Sequence, residues 1–216
     1  MRLLRNFVIG LFLVIGAIAA MLLIPSPQPP AAKPWEVVIM PDGNSKVLGI
    51  HLANTTYKAA QENLGAFGKT ALFTDPDNHA SVEAYFESVN LSGLSAKLVL
   101  NLAVPNHQMQ AMLSRATSGK LQPSGAHQHE LAEADRIALL NVAVNAITYI
   151  PSVRLDQTML TARFGEPDSA EQTRDAEGNM VNIWHYHEPN LTINFSDQQK
   201  TLLIYSAKST FPALSD

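Results

Sequence analysis

The sequence predicts an α+β fold, with an N-terminal transmembrane helix followed by two tandem helix-plus-antiparallel-sheet units. Three observations predict it. Residues 7–24, FVIGLFLVIGAIAAMLLI, form an unbroken apolar run of 18 residues. The rest of the chain consists of short β-branched or alternating runs punctuated by Gly, Pro, Asn and Asp. One order of elements, a short helix ending in glycine and then strands, occurs twice. The expected divisions are a membrane anchor over 1–24, a Pro-rich linker over 25–34, a first α/β unit over 35–105, and a helical connector with a second α/β unit over 106–216.

As a helix, the apolar run would be about 27 Å long, close to the ~30 Å hydrocarbon core of a bilayer. A cleaved signal peptide is the rival reading, but its apolar region usually holds only about 7–15 residues, and no A-x-A site follows closely here. Arg2 and Arg5 precede the run and only Lys33 follows nearby, so the positive-inside bias leaves the N-terminus in the cytoplasm. These features predict a single-pass, signal-anchored protein of the inner (cytoplasmic) membrane, with its C-terminal body in the periplasm or otherwise outside the cytoplasm. The stretch PSPQPPAAKP, five prolines in ten residues, predicts an extended stalk.

Residues 35–216 hold all 19 acidic side chains and 12 of the 15 basic ones, a formal charge of −7. That charge argues against nucleic acid or anionic headgroups as the main partner of the body. The chain has no cysteine, which excludes disulfides, thiolate metal sites and a cysteine nucleophile.

The body opens with VVIMPDGNSKVLGIHL (37–52), two β-branched runs around a Pro-Asp-Gly-Asn-Ser turn, which predicts a hairpin. In TTYKAAQENLG (55–65), Tyr57, Ala60 and Leu64 recur at helical spacing, threonine can cap the start and Gly65 can stop the helix. TALFTDP, SVEAYFESV and AKLVLNLAV predict three strands, the last of them central because it is almost continuously apolar. Asn106 is placed to cap a helix that puts Met109, Met112, Leu113 and Ala116 on one face. TSGKLQPSGAHQH predicts a polar loop. LAEADRIALLNVAVNAIT (131–148) is apolar around most of its circumference and predicts a long buried helix, ended by Pro151. Asp156 can cap the next helix, with Leu155 stapling onto Leu160 and with Gly165 and Pro167 as the stop. SAEQTR, MVNIWHYH, NLTINF and TLLIYS predict four strands.

The stretch from Leu155 to Tyr205 resembles the SmpA/OmlA (BamE-like) family. The matching features are a short helix ending in aromatic-Gly-x-Pro (Phe164, Gly165, Pro167), a polar hairpin, a W-x-Y strand (Trp184, Tyr186) and a closing hairpin of the form LTINF, turn, LLIY. The tandem layout is similar to that of the β-lactamase inhibitory protein. The resemblance implies a fold used mainly for binding other proteins, with no catalytic residues to carry over. Family members bear an N-terminal lipidated cysteine, which this chain lacks, so a role in outer-membrane assembly does not carry over either.

Two histidines two apart, His185 and His187, invite a metal reading, yet strand alternation gives the same spacing. On a strand, Trp184 and Tyr186 share the core face while His185 and His187 share the other, where they can meet a partner. The alternative is zinc, with His127 and His129 supplying the remaining ligands. No G-x-S-x-G, Walker A, G-x-G-x-x-G or H-E-x-x-H motif occurs. The sequence therefore predicts a non-enzymatic, membrane-anchored protein that binds a protein partner in the cell envelope, with His185 and His187 as binding residues and Trp184, Tyr186, Gly65, Gly165 and Pro167 as structural ones. The alternative is a zinc-dependent enzyme or metal-handling protein using His127, His129, His185 and His187.

Overall fold

A computed structural model describes residue 11 and residues 14–16, 32–91, 93–175 and 177–208. The chain divides into residues 1–30 and residues 31–216, and the second unit contains both sheets. Its strands are β1 (Val38–Ile39), β2 (Ser45–Val47), β3 (Ile50–His51), β4 (Lys69–Thr74), β5 (Ala80–Leu91), β6 (Leu94–Leu102), β7 (Thr117–Leu121), β8 (His127–Glu130), β9 (Val144–Pro151), β10 (Ser169–Arg174), β11 (Met180–Tyr186), β12 (Leu191–Phe195) and β13 (Leu202–Ser206). The helices are α1 (Tyr57–Leu64), α2 (Asn106–Arg115), α3 (Glu133–Leu139) and α4 (Gln157–Phe164).

β1 to β3 form a small antiparallel sheet. The other ten strands form a single antiparallel sheet in the order β10-β11-β12-β13-β9-β6-β5-β4-β8-β7. The expected α+β class with two separate helix-plus-sheet units is therefore corrected to a mostly β fold with few, short helices. The cause is β9, which pairs with β6 on one side and β13 on the other and makes both halves one ladder.

Much of that correction lies in residues 131–148. Helix α3 covers only Glu133–Leu139, and Val144 begins a strand whose buried positions include Val144, Ile147, Tyr149 and Pro151. A short apolar stretch fits a buried helix and a buried strand equally by periodicity, and the β-branched run here decides for the strand. TSGKLQPSGAHQH likewise folds as the β7–β8 hairpin at one sheet edge rather than as a loop. Pro105, not Asn106, is the N-cap of α2.

The two-residue pleat sends Leu72, Val82, Ala84, Phe86, Leu98, Leu100, Ile147, Tyr205, Ile193 and Trp184 to one face, where each is at most 6% exposed. That face joins Tyr57, Ala60, Leu64, Met109, Met112, Leu139 and Leu160 of the helices in one continuous core. The segment around β1–β3 lies on this side too: Tyr205 donates its hydroxyl hydrogen to the Pro34 carbonyl at 2.6 Å, and the Arg163 guanidinium sits 4.1 Å above the Trp35 ring.

Two passages 100 residues apart share their local design. Thr56 and Asp156 cap α1 and α4 by accepting from the backbone N–H three residues on. Gly65 and Gly165 end the helices at φ 59° and 77°, where a Cβ would be strained. Strands then start at residues 69 and 169, and Asp75 and Asp175 close the following turns by accepting from the backbone of residues 79 and 179. Gly165→Val is expected to destabilise the protein by about 1–3 kcal/mol in thermal unfolding, because open space around the Cβ does not relieve a β-branched residue at positive φ.

Among the described residues no helix is long and apolar enough to cross a membrane. Of the run 7–24, only Leu11 and residues 14–16 are described; they are helical, and the remainder lies outside the described residues, as do linker residues 25–31. An apolar run is necessary for a spanning helix, but a helix of about 20 residues is also required, and the described residues contain none. The expected transmembrane anchor and inner-membrane, single-pass placement are corrected accordingly.

Candidate functional site

The β11 pleat puts Trp184 and Tyr186 into the core at 6% and 7% exposure. Trp184 meets Phe195 edge-on with ring centroids 4.9 Å apart, and the Tyr186 hydroxyl donates to the Gly165 carbonyl at 3.0 Å. Burial, with Glu166 and Asp168 nearby, pushes the Tyr186 phenol up to about 12. This bond ties the end of α4 to the sheet, with Pro167 in the connection that follows. Tyr57 does the same in the first half through the Gly68 carbonyl at 2.9 Å.

His185 faces the opposite side of the sheet with its side chain 40% exposed, its Nδ1 3.2 Å from Thr192 Oγ1 and its Nε2 3.5 Å from Glu171 Oε1. His187 lies just past the strand, 78% exposed, and contacts Asp168 through both its backbone N–H (2.6 Å) and Nδ1 (3.1 Å). His127 and His129 stand on β8 with ring centroids 6.4 Å apart, and His129 Nε2 is 2.9 Å from Thr74 Oγ1. β8 and β11 are the ninth and second strands of the sheet, seven spacings apart. At ~4.8 Å per spacing they are about 34 Å apart, so the four histidines do not converge on one zinc ion.

Asp75, Asp77 and His79 are the described residues whose ligand atoms come within 4.8 Å of one another. Their geometry already has a structural explanation. Asp75 accepts from the His79 backbone at 2.7 Å, and the equivalent Asp175 turn makes the same bond with Asn179 in place of histidine. Backbone donors of this kind favour the carboxylate form. Hydrogen bonds from the Asn44 side chain and backbone, with His51 adding to them, likewise hold Asp42 down to about 2, against an ordinary 3.8. A depressed folded-state pKa contributes stability that is present above the unfolded pKa and lost as pH falls towards the folded one. The urea midpoint is therefore expected to be lower at pH 3 than at pH 6, with a smaller difference in Asp42→Asn.

The larger feature is the sheet face opposite the core. Its pleat positions include Phe73, Glu83, Tyr85, Lys97, Val99, Thr148, Ile150, Ile183, Thr192 and Ile204, all partly exposed, and its registers align them into cross-strand rows such as Tyr85, Val99, Thr148, Ile204, Thr192, His185. Within the described part of residues 31–216 no helix lies on this face, since α1 to α4 all contribute to the opposite core. Sequence reasoning did not single out Phe73, Glu83 or Tyr85 as site residues. Their signal was available in SVEAYFESV, where Val82, Ala84 and Phe86 take the core side and leave Glu83 and Tyr85 on the other. Comparison with known protein families, curated proteins and solved structures finds no match to this chain.

Proposed function

We propose that this chain is a non-enzymatic binding protein that holds a protein partner on the open face of its ten-stranded sheet, with His185 on that face and His187 at its margin. The observation behind this reading is the texture of the face. Partly exposed Phe73, Tyr85, Val99, Ile150, Ile183 and Ile204 alternate with Lys97, Thr148, Thr192 and His185, a mixture of aromatic, aliphatic and polar groups suited to a protein interface. Nine strand spacings give the face a width of about 43 Å, enough for the ~800 Å² that a typical partner buries. Its polar side chains are used as cross-strand ties, as in Lys97 to Tyr85 at 2.9 Å and His185 to Thr192 at 3.2 Å. The net charge of −7 for residues 35–216 disfavours nucleic acid, and the SmpA/OmlA resemblance points to protein binding as well.

The test places a photo-crosslinking residue at Thr148 or Ile204, in the middle of the face, and at the exposed Gln108 on α2 as a control. Crosslinks to one protein species are expected from Thr148 and Ile204 and not from Gln108. Equal yields from all three positions would remove the open face as the docking site.

A further inference from the structure

On the open face, where β4, β5, β6 and β8 meet, a pocket of about 220 Å³ is lined by Ala71, Phe73, Glu83, Tyr85, Val99 and Lys69 among others. Drug-sized and cofactor ligands need about 300–1,000 Å³, so this pocket suits one long side chain. Its walls are mostly apolar, and Glu83 is the one acidic side chain among its lining residues. Among the described residues no Lys, Arg or His nitrogen forms an ion pair with Glu83; its recorded partner is the Ser81 hydroxyl, which donates at 3.3 Å. Neither of the two nearby ammonium groups is paired with it. Lys97 Nζ donates to the Tyr85 hydroxyl at 2.9 Å, and Lys69, exposed, lies opposite Tyr85 in the register rather than opposite Glu83.

A half-buried carboxylate without a cation is a cost that folding alone does not explain. Burial pushes the Glu83 carboxyl above its usual range, with the Ser81 bond opposing that shift. An incoming ammonium or guanidinium would restore its counter-charge, while Phe73 and Tyr85 offer ring surface to the cation and its methylene stem. We propose that the pocket is the specificity point of the docking face and receives a lysine or arginine side chain projecting from the protein partner, with Glu83 as counter-ion. This inference rests on the open-face docking reading.

The experiment selects peptides from a random displayed library on the immobilised full chain, then measures the selected peptides in solution by fluorescence anisotropy and maps them by amide chemical-shift changes. Peptides with a fixed Lys or Arg that perturb Ala71, Glu83 and Val99 are expected, with binding weakened on the order of thirtyfold by Glu83→Gln or by changing the fixed basic residue to norleucine. Glu83→Gln is expected to keep or raise the thermal midpoint at pH 7, since a carboxyl whose pKa is raised by folding costs stability above that pKa; loss of binding with the fold intact is then a loss of recognition. Peptides that map to Thr148 and Ile204 but show no basic preference, or are indifferent to Glu83→Gln, overturn the pocket assignment and leave the docking face standing. Peptides that map elsewhere, or a failure to select any, overturn both.

Discussion

Trp184→Ala is expected to lower the free energy of unfolding by about 3–5 kcal/mol, measured by urea denaturation. The indole is 6% exposed and stacked edge-on against Phe195, and β10 leaves its own six residues exposed, so little is available to close the cavity. His185→Ala and His187→Ala, at 40% and 78% side-chain exposure, are expected to cost less than about 1 kcal/mol. The histidine on the open face can therefore be tested for binding without confounding loss of fold.

The second large effect concerns cooperativity. Thr148 sits in β9, opposite Val99 on β6 and Ile204 on β13. Thr148→Pro removes a backbone donor in the middle of the sheet and leaves a carbonyl facing the proline ring, at about 1–3 kcal/mol for the unsatisfied group plus the steric cost of the ring. Because β9 joins the two halves, the whole ten-stranded sheet is expected to lose stability in one transition. A biphasic melt in which part of the signal keeps the wild-type midpoint would show that the halves fold independently.

Legibility followed the strength of local signals. Asp156, Gly65 and Gly165 act through the chain immediately around them, and their helix ends could be read from sequence. The strands from SAEQTR to TLLIYS were readable because turn residues separate them at short intervals. Residues 144–151 were not, because VAVNAITYI is apolar at most positions and its strand identity depends on partners at 96–102 and 203–206 that no local window contains. The same long-range dependence hid the merging of two sheets into one. The pocket around Glu83 was only half legible: alternation places Glu83 and Tyr85 on one face, but bringing Phe73 and Val99 beside them requires the β4-β5-β6 order. Nor could the sequence show that His127 and His185 stand at opposite ends of the sheet.

The position of β9 bears on how the chain is made. On a ribosome it emerges after β6 but well before β13, and until residues 202–206 have been synthesised its outer edge has nothing to pair with. Tyr205 must then also reach back to Pro34, 171 positions earlier. Contacts so distant along the chain place the protein among slow folders, in the millisecond-to-second range. The nascent chain meanwhile exposes an apolar edge containing Ile147 and Tyr149, the kind of surface that chaperones shield. Closure of the sheet is thus a late event in biosynthesis, and the open face comes into being only when it happens.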